Sequence, residues 1–268
     1  MSIVRLTAYA VMLFLAAAVA RADDPSDGPS SDPSDDIVQY ATIAGLLQGL
    51  YDGDLTIGAL RRFGDHGLGT FNHLDGEMVQ LDGDVFQVTV DGRVHRVPET
   101  TKTPFAVVTM FDIDREAPLP AGLSYAALQA HLDGLIDNPN YFQAIRIDGV
   151  FASMKVRSVP AQTPPYRPLV DVVKDQGVFQ LTDVAGTLVG FRTPDYMAGL
   201  NVPGYHVHFL SNDRQHGGHV LDLTTAQGHI AIDESATFRM LLPETKAFAE
   251  ANISDHDAEA LKTVEKAK

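Results

Sequence analysis

The segment Gly204-Tyr-His-Val-His-Phe-Leu-Ser-Asn-Asp-Arg-Gln-His-Gly-Gly-His219 holds four of the chain's ten histidines. Tyr205 to Leu210 reads as a β-strand, and residues two apart on a strand face the same side. His206 and His208 therefore stand side by side, with Tyr205, Val207 and Phe209 turned the other way. The polar run Ser211 to Gly218 folds the chain back, so that His219 opens the return strand beside them. Two imidazoles on one strand and a third on its neighbour make a three-nitrogen platform with open positions. A catalytic divalent metal needs that arrangement, with zinc ligands at about 2.0–2.1 Å and a site left for water or substrate. Imidazole and carboxylate ligands suit zinc, manganese or iron alike. His216, in the turn beside Gly217-Gly218, is expected to face solvent. The scattered His66, His73, His95, His131, His229 and His256 read as surface or hydrogen-bonded residues.

Strands must position this platform, and strand signals dominate the chain. Met78 to Leu81, Asp84 to Val90 and Arg93 to Val97 are short β-prone runs separated by Asp82-Gly83 and Asp91-Gly92. Asp-Gly between such runs is a strong hairpin signal, so a β-meander is predicted over 77–97. Further strands are predicted at Phe105–Phe111, Gln143–Val159, Val178–Thr182, Gly186–Arg192, Tyr205–Leu210, His219–Thr224 and His229–Asp233. Helices are few: Thr56 to Arg62, and Ser124 to Ile136 with a Ser cap and Leu128, Leu132 and Leu135 on one face. Gln162-Thr-Pro-Pro-Tyr-Arg-Pro168 interrupts regular structure and is the best internal boundary.

Composition bounds the function. Met1 to Arg5 is a short cationic start, Leu6 to Ala20 is an uncharged apolar run, and Ala20-Arg-Ala22 offers small residues before a cut. This pattern is a secretory signal peptide over 1–22, too short for a comfortable membrane span. Residues 23–36, almost entirely Asp, Ser, Pro and Gly, read as a solvated acidic tether. Residues 37–268 suffice for a proper core. Removing Arg5 and Arg21 with the signal takes the formal charge from −15 to −17. Such a chain repels nucleic acid and anionic membrane at long range. It contains no cysteine, which rules out thiolate nucleophiles and Cys-type zinc sites and leaves stability to the hydrophobic core.

Several segments in order resemble the α-acetolactate decarboxylase family. They are Gly186-Thr-Leu-Val-Gly-Phe-Arg-Thr-Pro194, Asn201-Val-Pro-Gly-Tyr-His-Val-His208 and Asp213-Arg-Gln-His-Gly-Gly-His-Val-Leu-Asp222. Upstream, the resemblance runs through Val38 to Leu47, Tyr51 to Gly58, Gly67-Leu-Gly-Thr-Phe71, Leu74-Asp-Gly-Glu-Met78 and Val156-Arg-Ser-Val-Pro160. It covers essentially all of 37–268. It implies that His206, His208 and His219 are the metal ligands and that Glu77 reaches the same site. It implies further that Arg157 faces the substrate carboxylate, and that Glu265, near the C-terminus, approaches the metal. The implied fold is a β-rich α/β (α+β type) chain. Residues 37–165 would form a mixed-sheet N-terminal part and 166–268 an antiparallel β part carrying the histidines. A homodimer is also implied.

The implied reaction is metal-dependent decarboxylation of 2-acetolactate to acetoin and carbon dioxide, a carboxy-lyase activity. Loss of carbon dioxide leaves an electron pair that the neighbouring ketone accepts as an enediolate, which a divalent metal, zinc first and manganese or iron as alternatives, would stabilise. Arg157 offers a planar fork suited to a carboxylate. Stereospecific protonation falls to Glu77, Glu265 or Arg157 through water, and the sequence does not rank them. Two other readings use the same histidines. A cupin-like metal oxygenase wants a Glu shortly after the His pair, where this chain has Asn212 and Asp213. A secreted metal- or ligand-binding protein without turnover needs no convergence of Arg157 and Glu77. The leader places the protein in the periplasm or outside the cell, with no membrane contact after cleavage. N-terminal sequencing of exported protein is expected to start at Asp23; a start at Met1 would overturn the assignment of a signal.

Overall fold

The computed structural model describes residues 35–253 and 258–265. The expected signal peptide lies outside them, as do His256 and the tether up to residue 34. No helix among the described residues is long and apolar enough to cross a membrane.

The chain builds fourteen strands and six α-helices among the described residues. The first half supplies β1 (Asp36–Tyr40), β2 (Leu55–Thr56), β3 (His66–Thr70), β4 (Glu77–Leu81), β5 (Asp84–Val88), β6 (Val94–Arg96), β7 (Lys102–Thr103) and β8 (Ala106–Thr109). There follow β9 (Arg115–Leu119), β10 (Phe142–Ser158), β11 (Gly177–Thr193), β12 (Gly204–Ser211), β13 (Gly217–Ser235) and β14 (Thr237–Leu241). The helices are α1 (Ile43–Leu47), α2 (Ile57–Leu60), α3 (Tyr125–Asp133), α4 (Leu169–Val172), α5 (Lys246–Glu250) and α6 (Ala258–Glu265).

One sheet runs β14-β1-β8-β3-β4-β5-β6. It is mixed, because β1 pairs in parallel with β14 and antiparallel with β8. The predicted meander is its β4-β5-β6 end, turned by Asp82 and Gly83 and by Gly92 at positive φ. The second sheet runs β10-β11-β12-β13-β9 and is antiparallel throughout; β10 also pairs with β13, so the strands wrap back on themselves. Phe151, Phe209, Ile145, Ile147, Met154 and Val207 fill the inside of that wrap, where Leu128 and Leu132 of α3 pack. Ser124 caps α3 by accepting from Ala127 N, as its sequence position suggested. Val79 and Leu81 of β4 meet Val189 and Leu210 where the sheets join.

Two expectations change. Residues 178–182 and 186–192 form one strand, β11, and 219–224 and 229–233 form another, β13. The residues between the predicted runs interrupt the strands without ending them: Asp183 takes a positive φ while the β10–β11 register runs on unshifted, and the β10–β13 register shifts three times, once at Ala226. A bulge absorbs a misplaced residue while pairing continues on both sides. The boundary expected at 165 also fails to separate the sheets. Strands β9 and β10 precede it yet belong to the second sheet, and β14 follows it yet completes the first. Residues 162–168 do lack regular structure, but Tyr166 packs edge-on against Tyr51 at 5.2 Å and donates to Asp52 at 3.0 Å. Contacts of that kind hold the segment against the N-terminal half instead of freeing it as a linker.

Gly218 is needed where β13 passes β10. It has φ +133°, and a Cβ there would lie 2.4 Å from the Arg157 carbonyl oxygen. Gly122 also has positive φ (+76°), but a Cβ there would meet nothing within 4 Å. Gly218→Ala should therefore lower the thermal midpoint further than Gly122→Ala, by several degrees, since each kcal/mol shifts a domain of this size by about 2–4 °C. Differential scanning calorimetry of both variants checks this, and equal losses would show that the strand spacing is not the constraint.

Candidate active site

Antiparallel pairing sets Arg157 of β10 directly opposite His219 of β13, and His219 opposite His208 of β12. Residues directly opposed across such a pair project from the same face, so the three side chains form one row. His206, two residues before His208, joins from the same face of β12. The three imidazole centroids are 5.1, 5.1 and 5.4 Å apart, and one nitrogen from each ring lies within 4.8 Å of the others. All three histidines are buried, while Val207 and Phe209 enter the core on the opposite face, as the alternation predicted. His216 is exposed and outside this group.

The first sheet adds a carboxylate. Gly76 turns the chain at φ +81°, and a Cβ there would come within 2.3 Å of the Val88 carbonyl oxygen. This tight turn delivers Glu77 at the start of β4, where it is buried. Arg157 Nη1 donates to Glu77 Oε1 at 2.9 Å, and Glu77 Oε2 lies 3.6 Å from His208 Nε2. The next residue contributes its backbone: His208 Nδ1 is 2.7 Å from the Met78 carbonyl oxygen. A carbonyl only accepts, so Nδ1 carries the hydrogen and Nε2 keeps its lone pair. Glu265 arrives on α6. Leu261 and Val264 of that helix are buried in the core, and Glu265 follows on the same side at i+4 from Leu261. Its Oε2 lies 3.6 Å from His219 Nε2.

Burial sets the charge states. It pushes the Glu77 carboxyl up to about 7, opposed by the Arg157 guanidinium and reinforced by the Glu265 carboxylate. Burial pushes Glu265 up to about 7 as well, again opposed by Arg157. His206 is pushed down to about 3 by burial and then by the charge of Arg157. His208 and His219 are lowered well below the ordinary range, first by burial. Three imidazoles held neutral, with buried His208 Nε2 and His219 Nδ1 lacking any hydrogen-bond partner, fit a divalent metal. Among the described residues, no other group of three or more His, Asp or Glu side chains has that geometry.

The space around the site has two parts. An inner chamber of about 40 Å³ is lined by Glu77, Arg157, His206, His208 and Glu265. An outer cavity of about 690 Å³ reaches His219 and shares Ile43 and Glu265 with the inner one.

The structure thus brings together all six residues named from the sequence: His206, His208, His219, Glu77, Arg157 and Glu265. Sequence reasoning missed the Met78 carbonyl, because a backbone acceptor has no residue-type signal. It also assigned no helix around Glu265, although Leu261, Val264 and Glu265 carry the i, i+3, i+4 spacing of a docked helix.

Comparison with known proteins agrees with this geometry. A family model described as alpha-acetolactate decarboxylase matches residues 37–255. An alpha-acetolactate decarboxylase from Methylococcus capsulatus is 46% identical over 230 residues, spanning 86% of this chain and 88% of that protein. One from Klebsiella aerogenes is 44% identical over 231 residues, spanning 85% and 88%. The crystal structure of alpha-acetolactate decarboxylase from Bacillus subtilis strain 168 superposes with a TM-score of 0.85 at 36% identity, covering 87% of this chain and 100% of that one. With the family model matched over 37–255 and relatives 44–46% identical over most of its length, the chain belongs to the alpha-acetolactate decarboxylase family.

Proposed function

We propose that this protein converts 2-acetolactate to acetoin and carbon dioxide, with zinc held by His206, His208 and His219. The observation that carries the reading is the burial of Arg157 beside the three histidines with its Nε unpartnered. Glu77 occupies Nη1, so Nε remains as a buried donor for an incoming carboxylate. Such a charge-assisted contact orients the carboxylate so that the breaking bond can align with the ketone π-system. The metal would supply Lewis-acid stabilisation of the negative charge that develops on the hydroxyl and ketone oxygens. The small inner chamber leaves room for few waters, which strengthens the electrostatic contacts made there. Glu77 and Glu265, both raised to about 7, are poised to hold a proton at neutral pH and return it to the carbon that lost carbon dioxide. Delivery from one side would give a single acetoin enantiomer. Family membership leaves the oxygenase and the non-catalytic binding readings without support. Export rests on the leader pattern of residues 1–22, and a homodimer on the family resemblance.

The purified protein should release one enantiomer of acetoin from racemic 2-acetolactate, read by chiral chromatography; a racemic product or no acetoin overturns the proposal. His206→Ala, His208→Ala and His219→Ala should each lose bound metal and turnover, while His216→Ala should keep both. Metal analysis beside the assay decides this, and retention of metal by His219→Ala would remove that residue from the ligand set. Arg157→Lys keeps the charge but not the planar fork, so it should retain metal and lose turnover by around 10²-fold. Near-normal kinetics would show that Arg157 does not hold the substrate.

A further inference from the structure

The inner chamber, at about 40 Å³, has room for only a few waters, each needing about 10–15 Å³ of such space. A five-carbon hydroxy keto acid does not fit there. The outer cavity, at about 690 Å³, is far larger than such a molecule and falls in the range of sites that take drug-sized ligands. The two meet at Glu265 and Ile43, with His206 and His208 facing the inner chamber and His219 the outer one. A substrate whose carboxylate reaches Arg157 therefore has its reacting carbons at the junction and the rest of its body in the outer cavity.

The walls of that cavity define what the rest can be. Ile43, Leu47, Val202, Val220 and Leu261 give it an apolar surface continuous with the core. The carboxylate and the alkyl group diverge from the same tetrahedral carbon. With the carboxylate directed inward to Arg157, the alkyl group points outward, away from the inner chamber.

Resting on the decarboxylase reading, we propose that the outer cavity is a subsite for the alkyl group on the carbinol carbon. The protein then accepts 2-hydroxy-3-oxo acids bearing groups as large as butyl or benzyl in place of methyl. The chemistry is unchanged by the larger group. The bond between the carboxylate carbon and the carbinol carbon breaks, carbon dioxide leaves, and the electron pair passes to the neighbouring ketone. One proton, ultimately from solvent, is then added at the carbinol carbon to give the corresponding hydroxy ketone. Each methylene buried against the apolar wall should tighten binding by up to about fourfold.

The test is a substrate series with methyl, ethyl, n-butyl and benzyl at the carbinol carbon, assayed with the metal-loaded full chain. Alongside it, calorimetry measures binding of the corresponding 2,3-dihydroxy acids, which lack the ketone and do not react. The n-butyl compound should match or exceed methyl in kcat/KM, and the unreactive acids should bind more tightly as the chain lengthens. Ala198 is exposed and lines the cavity wall. Ala198→Phe should therefore lower the butyl-to-methyl ratio of kcat/KM at least tenfold. A 100-fold fall from methyl to butyl in the unaltered protein overturns the inference, as does an Ala198→Phe variant whose ratio is unchanged. Failure to turn over even the methyl compound overturns the decarboxylase reading itself, whereas methyl turnover without butyl or benzyl turnover sinks only the subsite.

Discussion

Arg157 carries a full positive charge at 4% exposure with one carboxylate, Glu77, in direct contact. Taking a guanidinium and a carboxylate out of water costs several kcal/mol per ion, and only close pairing with further hydrogen bonds repays it. That constraint shapes the neighbourhood. The guanidinium works against protonation of all three nearby imidazoles, adding to the effect of burial. It also partly opposes the upward push that burial exerts on Glu77 and Glu265. Burial sets these charge states, and the one cation adds to it at the histidines and tempers it at the two acids, which stay near the point where they exchange protons at neutral pH.

The two sheets need each other for this. Strand β4 presents Glu77 to Arg157 with its side chain and Met78 to His208 with its carbonyl, so consecutive residues of one sheet set both the charge and the tautomer of the other. Hydrogen bonding to the far nitrogen of a ligating histidine fixes ring orientation, which a loosely held imidazole would lack. A shift of β4 by one residue would move Glu77 to the opposite face and break both contacts at once.

Much of this was legible in the residues. The His-x-His alternation gave the shared face of His206 and His208 directly, because strand geometry has a period of two. The third histidine followed from a polar turn that could only send the chain back. The meander over 77–97 was marked by its Asp-Gly turns. What escaped the sequence was long-range: which strands pair across the chain, and that β11 and β13 continue through Asp183 and Gln227 instead of stopping there. Turn residues and bulge residues share the same composition, and only the partner strand decides between them. The boundary at 165 failed for the same reason, since local irregularity at Pro164-Pro165 says nothing of where β14 finds its partner. Family resemblance, not spacing, pointed to Arg157, Glu77 and Glu265.

The pairing of β1 with β14 carries a kinetic consequence. Asp36 lies beside Thr237 and Tyr40 beside Leu241, so the first strand waits for nearly the whole chain before it gains that neighbour. Contacts so distant in sequence slow folding, because loop-closure entropy is lost before the pairing rewards it. During synthesis β1 has β8 available early, but its other edge stays bare until β14 emerges. A bare edge is a template for strands of other chains. The nascent polypeptide thus carries an open pairing edge for most of its synthesis, an edge that the finished fold covers with β14.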